Sequence, residues 1–179
     1  MLRYLLTQFS PTLLITTVML ATYLLQQSSS PLLFLPAGVQ IIAGFTYGLR
    51  SLVGCIIGMG LGTALLAHQP LGIEPLVISA AYGMLSTLCL LSFIHLVCRF
   101  GHVNHELAGL SYKHILIVVM LQATADAALR TWLISAVEHL HTNPAMLFQW
   151  LSQASGNLLG SMSVVLSIFL LTALPRKNA

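Results

Sequence analysis

The sequence predicts an all-α membrane protein, a polytopic bundle of six transmembrane helices with both termini in the cytoplasm. Three observations carry this. The chain of 179 residues is 57% hydrophobic and only 6% charged, whereas a soluble domain has about 25% charged residues. Its apolar stretches are long and uninterrupted, so they read as helices; barrel strands would be about ten residues long and would alternate. Finally, six of the seven Lys and Arg residues sit in every second gap between those stretches: Arg3, Arg50, Arg99, Lys113, Arg176 and Lys177. Cytoplasmic loops are enriched in Lys and Arg, so this face is inside and the gaps at Gln26–Pro31, His68–Glu74 and Glu138–Ala145 are outside.

Span one, Leu5–Leu25, follows Arg3 and ends before Gln26-Gln27-Ser28-Ser29-Ser30. It has the flanks of a signal peptide, but its apolar run is too long for one and no A-x-A cleavage site follows, so it reads as a retained helix. Pro11 either kinks it or sits in its first turns. Span two, Leu32–Leu49, presents the same choice at Pro36, and carries Gln40, Gly44 and Gly48 on one face at four-residue spacing. Span three, Ser51–Ala67, is near the lower length limit for crossing about 30 Å of hydrocarbon. It places Gly54, Gly58 and Gly62 on one face and is joined to span two only through Leu49-Arg50-Ser51, which predicts a tight helical hairpin. Span four covers Pro75–Val97, span five His114–Val137 and span six Leu147–Leu174, the last with Ser152, Gly156 and Gly160 in line. Small residues at this spacing let helix backbones approach closely in lipid, so these glycines read as packing positions.

Span five holds the costly feature. Gln122, Asp126 and Arg130 recur every four residues, with Asp126 near mid-span. A charge at that depth costs about 2.5–3.5 kcal/mol on the insertion scale. Two readings follow. One is a ligand or ion pocket formed by Gln40, Gln122, Asp126 and Arg130, with Asp126 as acceptor and Arg130 as an anion clamp. The other is a buried Asp126–Arg130 ion pair that fixes helix register, with Gln122 bonded to a neighbouring helix. Arg130 is also the one basic residue outside the cytoplasmic pattern.

The remaining polar residues point to less. His68, Glu74, Glu138, His139 and His141 share the outer face but lack metal-ligand spacing, and His95 and His114 lie near the inner ends of spans four and five without a defined geometry for haem. His102 and His105 face water in the inner loop. Cys55, Cys89 and Cys98 show no CxxC and read as small packing residues. No metal or other cofactor is expected. HExxH, G-x-S-x-G and phosphate-loop patterns are absent, so no enzyme is expected. The basic residues are scattered singly, which excludes a nucleic-acid stripe.

One stretch goes beyond composition. Leu35-Pro36-Ala37-Gly38-Val39-Gln40, then Gly48-Leu49-Arg50-Ser51-Leu52-Val53-Gly54-Cys55-Ile56-Ile57-Gly58, resembles the opening hairpin of MASE1 domains, integral-membrane sensory domains of bacteria. A weaker match, Gly156-Asn157-Leu158-Leu159-Gly160, is similar to a late segment of that family, with Asn157 near the place of a common acidic residue. The resemblance implies an inner-membrane sensor of a small ligand, in contact with membrane lipid. Family members carry more spans and a fused kinase or cyclase module, so the expectation here is a separate protein partner for output. Six short, glycine-rich spans also look like substrate-binding subunits of energy-coupling-factor transporters, although Thr16-Thr17-Val18-Met19-Leu20-Ala21 lacks their A-x-x-x-A docking pattern. An accessory subunit of a larger membrane complex is the third reading.

Overall fold

The computed structural model describes the backbone of residues 2–27, 34–66, 73–103, 110–138 and 144–173, and the side chains of residues 10–25, 34–62, 76–103, 110–133 and 147–170. Along these the chain forms α1 (Leu2–Gln27), α2 (Leu35–Tyr47), a 3₁₀ turn (Gly48–Arg50), α3 (Ser51–Leu66), α4 (Ile73–Phe100), α5 (Tyr112–Glu138) and α6 (Pro144–Ala173). No strand occurs among the described residues. By length and composition four segments are apolar enough to cross a membrane, Leu35–Gly62, Leu76–Phe100, Tyr112–Leu133 and Leu147–Leu170, the first of them counted through the turn at Gly48–Arg50. The apolar part of α1 described with them, Ser10–Leu25, is shorter.

The segment Leu35–Gly62 is not one straight rod. Gln40 of α2 bonds Ser86 of α4 and Gly44 lies on Leu90 and Ile94, so α2 and α4 run the same way. Gly60 of α3 lies on Ala80 and Gly83 of α4 lies on Ile56 and Met59, so α3 runs against α4. The chain therefore reverses at Gly48–Arg50. Gly48 makes this possible with φ of 54°, a backbone region that L side chains rarely adopt, and its N–H bonds back to the Gly44 carbonyl. Pro36 sits in the first turn of α2, where its missing N–H costs no helical hydrogen bond. Pro11 lies inside α1.

Helix α2 is the axis of the bundle. It touches every other helix, while α1, α3, α4, α5 and α6 pack in that order around it. Glycines set the closest approaches. Gly54, Gly58 and Gly62 of α3 lie against Ile15, Met19 and Tyr23 of α1, each set at four-residue spacing. At Gly54 and Gly58 an added Cβ would stand 2.9 and 2.8 Å from the facing side chain. Gly156 and Gly160 of α6 receive the start of α2: the Phe34 N–H donates to the Gly156 carbonyl at 3.0 Å, and the Phe34 backbone presses on Gly160. Gly38 lies on Val164 and Ser161 of α6.

The surface is apolar and the interior is mixed. Leu13, Leu25, Phe100, Trp132, Phe148 and Phe169 are among the exposed large hydrophobics, whereas Gln40, Ser86, Thr87, Gln122, Asp126, Asn157 and Ser161 are buried. Water would drive the opposite arrangement. Lipid does not, because apolar side chains gain nothing by leaving it, and polar groups are held inside by hydrogen bonds between helices.

Candidate functional site

The polar interior begins on the axis. Gln40 is 0% exposed. Its Nε2 donates to Ser86 Oγ at 2.8 Å and to Thr87 Oγ1 at 3.0 Å, and Ser86 Oγ lies 3.3 Å from Gln40 Oε1 as a donor. Thr87 in turn donates to the Gly83 carbonyl at 2.7 Å. From the other side, Gln122 Nε2 donates to the Ser86 carbonyl at 3.2 Å and to Ser86 Oγ at 3.1 Å. Ser86 thus joins α2 and α5 through α4. The Ser86 backbone carbonyl accepts hydrogens only, which fixes the Gln122 amide with its nitrogen toward α4. Gln122 Oε1 is left with no donor.

Asp126 lies one turn along α5 and is 1% exposed. Ser86, Gln122 and Tyr82 flank its carboxyl, yet neither oxygen has a hydrogen-bond partner. Arg130, the next residue in the same row, is exposed. Its charge is near enough to act on Asp126, Tyr23 and Tyr82. The expected Asp126–Arg130 ion pair is not formed. Arg130 is exposed whereas Asp126 is buried, so the two side chains do not meet in this arrangement. Tyr23 completes the wall from α1. Its ring meets Phe34 edge to face at 5.8 Å between centroids, and its hydroxyl is buried without a partner.

Among the residues expected at the site, Gln40 and Gln122 are brought together through Ser86, Asp126 stands beside them, and Arg130 lies at the rim. Ser86, Thr87, Tyr82 and Tyr23 were not in the sequence-derived set. Tyr82 and Ser86 share a face of α4 at four-residue spacing, a signal legible beforehand. Tyr23 shows no such pattern.

Of the histidines, His114 Nδ1 accepts from the Ser111 N–H at 3.1 Å and so caps the start of α5. His95 is exposed and borders an open cleft of about 950 Å³ with Gly44, Gly48 and Arg99. The side chains of residues 68, 74, 105, 138, 139 and 141 lie outside the described residues. Among those described, no three His, Cys, Asp or Glu side chains could hold a metal together. Comparison with protein-family models, curated proteins and solved structures finds no match to this chain.

Proposed function

We propose that this chain is a MASE1-like bacterial inner-membrane protein that crosses the bilayer six times with both termini cytoplasmic, binds a small ligand in its polar core and signals through a separate protein partner. The observation that supports this most is Asp126, a buried carboxyl with both oxygens unpartnered beside the Gln40–Ser86–Gln122 network. A buried polar group left unpartnered costs about 1–3 kcal/mol, and more if charged. In a purely structural bundle an apolar side chain would be more stable there, so the carboxyl points to a binding role. Its place beside the Ser86 link to axial Gln40 would let occupancy bias the packing of α2, α4 and α5 together.

The test is capture of the tagged chain from its native membranes in mild detergent, with partners identified by mass spectrometry. Co-purification of a kinase or cyclase is the expected result. Recovery of an ATPase pair with a scaffold protein would overturn the sensor reading in favour of a substrate-capture subunit. In cells, Asp126→Asn and Arg130→Gln should each abolish the response while leaving membrane insertion unchanged.

A further inference from the structure

The hydrogens of the polar core can be counted. Gln40 commits its two amide hydrogens to Ser86 and Thr87. Ser86 gives its own to Gln40 Oε1, and Thr87 gives its own to the Gly83 carbonyl. Gln122 spends both on Ser86. Every hydrogen of Gln40, Ser86, Thr87 and Gln122 is thus committed, and none reaches Gln122 Oε1 or the two Asp126 oxygens; the Tyr82 and Tyr23 hydroxyls stand nearby, but no donor is within bonding distance of the carboxyl. An ionised carboxylate without a donor in a dry interior is too costly to persist, and such a group neutralises instead. We propose that Asp126 is a proton-binding site, holding the acid hydrogen in the arrangement described. It releases that hydrogen to water at the outer face when Arg130, one turn outward, moves in to pair with the carboxylate.

Both states leave the buried site without net charge, and the protein loses one positive charge to water in passing from the first to the second. In one, the acid O–H is intact and the Arg130 guanidinium stays at the rim. In the other, the O–H bond breaks, the proton leaves to water, and the guanidinium neutralises the carboxylate; four-residue spacing on one helix allows that contact. The titratable groups facing Asp126 are few. Tyr82 and Cys89 come from α4, Tyr23 from α1 and Arg130 from α5 itself. Residues 147–170 of α6 contain no titratable side chain, and α2 has only Tyr47, at its opposite end. This inference rests on the chain being membrane-embedded in the orientation proposed above and not on any ligand or partner.

Asp126 is the sole aspartate of the chain, so it can be read without mutation. The full chain is prepared with aspartate isotope-labelled at its side-chain carboxyl carbon and reconstituted in lipid bilayers. Infrared and solid-state NMR spectra are then followed against pH. A neutral-acid carbonyl band at neutral pH, converting to carboxylate as the pH is raised, is the expected result. Arg130→Gln should move that conversion to higher pH, because the replacement charge is gone. Tyr82→Phe should leave the neutral-acid band in place, since the hydrogen belongs to the acid. A carboxylate signal at neutral pH in the folded wild type would overturn the proposal. So would a neutral-acid band that disappears on adding sodium at fixed pH, which would make this a metal-cation site. Failure of partner capture with a positive spectrum would sink the sensor reading alone.

Discussion

A single hydroxyl, that of Ser86, holds the polar core together. It accepts from Gln40 and Gln122 and donates back to Gln40. Hydrogen bonds between helices in a membrane contribute about 0.6 kcal/mol each on average. Gln40→Leu should therefore lower stability by about 1–2 kcal/mol, read by reversible unfolding in mixed micelles. The double variant Gln40→Leu/Gln122→Leu should fall short of the summed single costs by about 0.5 kcal/mol or more, because both act through Ser86. Strict additivity would show that the two amides do not share a partner. Asp126→Asn should unfold within about 0.5 kcal/mol of the wild type, as it keeps the shape and brings its own hydrogens. The residue scale is also where sequence reasoning stopped short. The four-residue row in α5 displayed Gln122, Asp126 and Arg130 as neighbours, but periodicity says which face they share and not what stands opposite. A serine in an apolar span is too common to be singled out, and the distance at which a flexible arginine settles is a tertiary outcome.

Between helices, the glycines differ in what they face, and this separates them as substitution sites. Gly160 abuts the Phe34 backbone, which cannot swing aside as a side chain can. Gly160→Ala should cost about 1–3 kcal/mol as overpacking. Gly60 has its nearest neighbour 3.7 Å from an added Cβ, so Gly60→Ala should be neutral or stabilising by up to about 1 kcal/mol from helix propensity. Gly48 meets nothing within 4 Å, but its φ is 54°; Gly48→Ala should cost about 1–3 kcal/mol from backbone strain alone. Thermal unfolding in one detergent would rank all three, and equal effects would refute the distinction. The long apolar helices were legible in the sequence because hydropathy over a helix-length window leaves few alternatives. The facing partners of the glycines were not, since spacing does not say which helix a bare face meets. Nor did the sequence reveal that α2, only 13 residues long, lies at the centre. Shortness alone is equally consistent with a peripheral or interfacial helix.

Over the whole molecule, the directions of the described helices alternate along the chain. The proposed six crossings with both termini inside make a plain expectation. A fluorescent reporter that matures only in the cytoplasm should be bright when fused after Ala179 and dark when the chain is cut and fused after His141. The reverse pattern would invert the topology and move Asp126 to the inner half of the bilayer. Arg50, Arg99 and Lys113 should set this orientation, so replacing all three with Gln should yield a mixed population in the same assay.

The central position of α2 also puts a clock on assembly. Gln40 is synthesised 46 residues before Ser86, the side chain that satisfies it. At about 5–20 residues per second, roughly 2–9 s pass before that partner exists, while the α2–α3 hairpin already faces lipid or the insertion machinery. During that interval a polar amide sits on the axis of a bundle of whose outer helices only α1 and α3 have been made. The nascent chain therefore has to shelter its future centre with half of the wall until the rest is built. Slowing synthesis between Gln40 and Ser86 should therefore lower the yield of assembled protein, read as the detergent-stable fraction after expression.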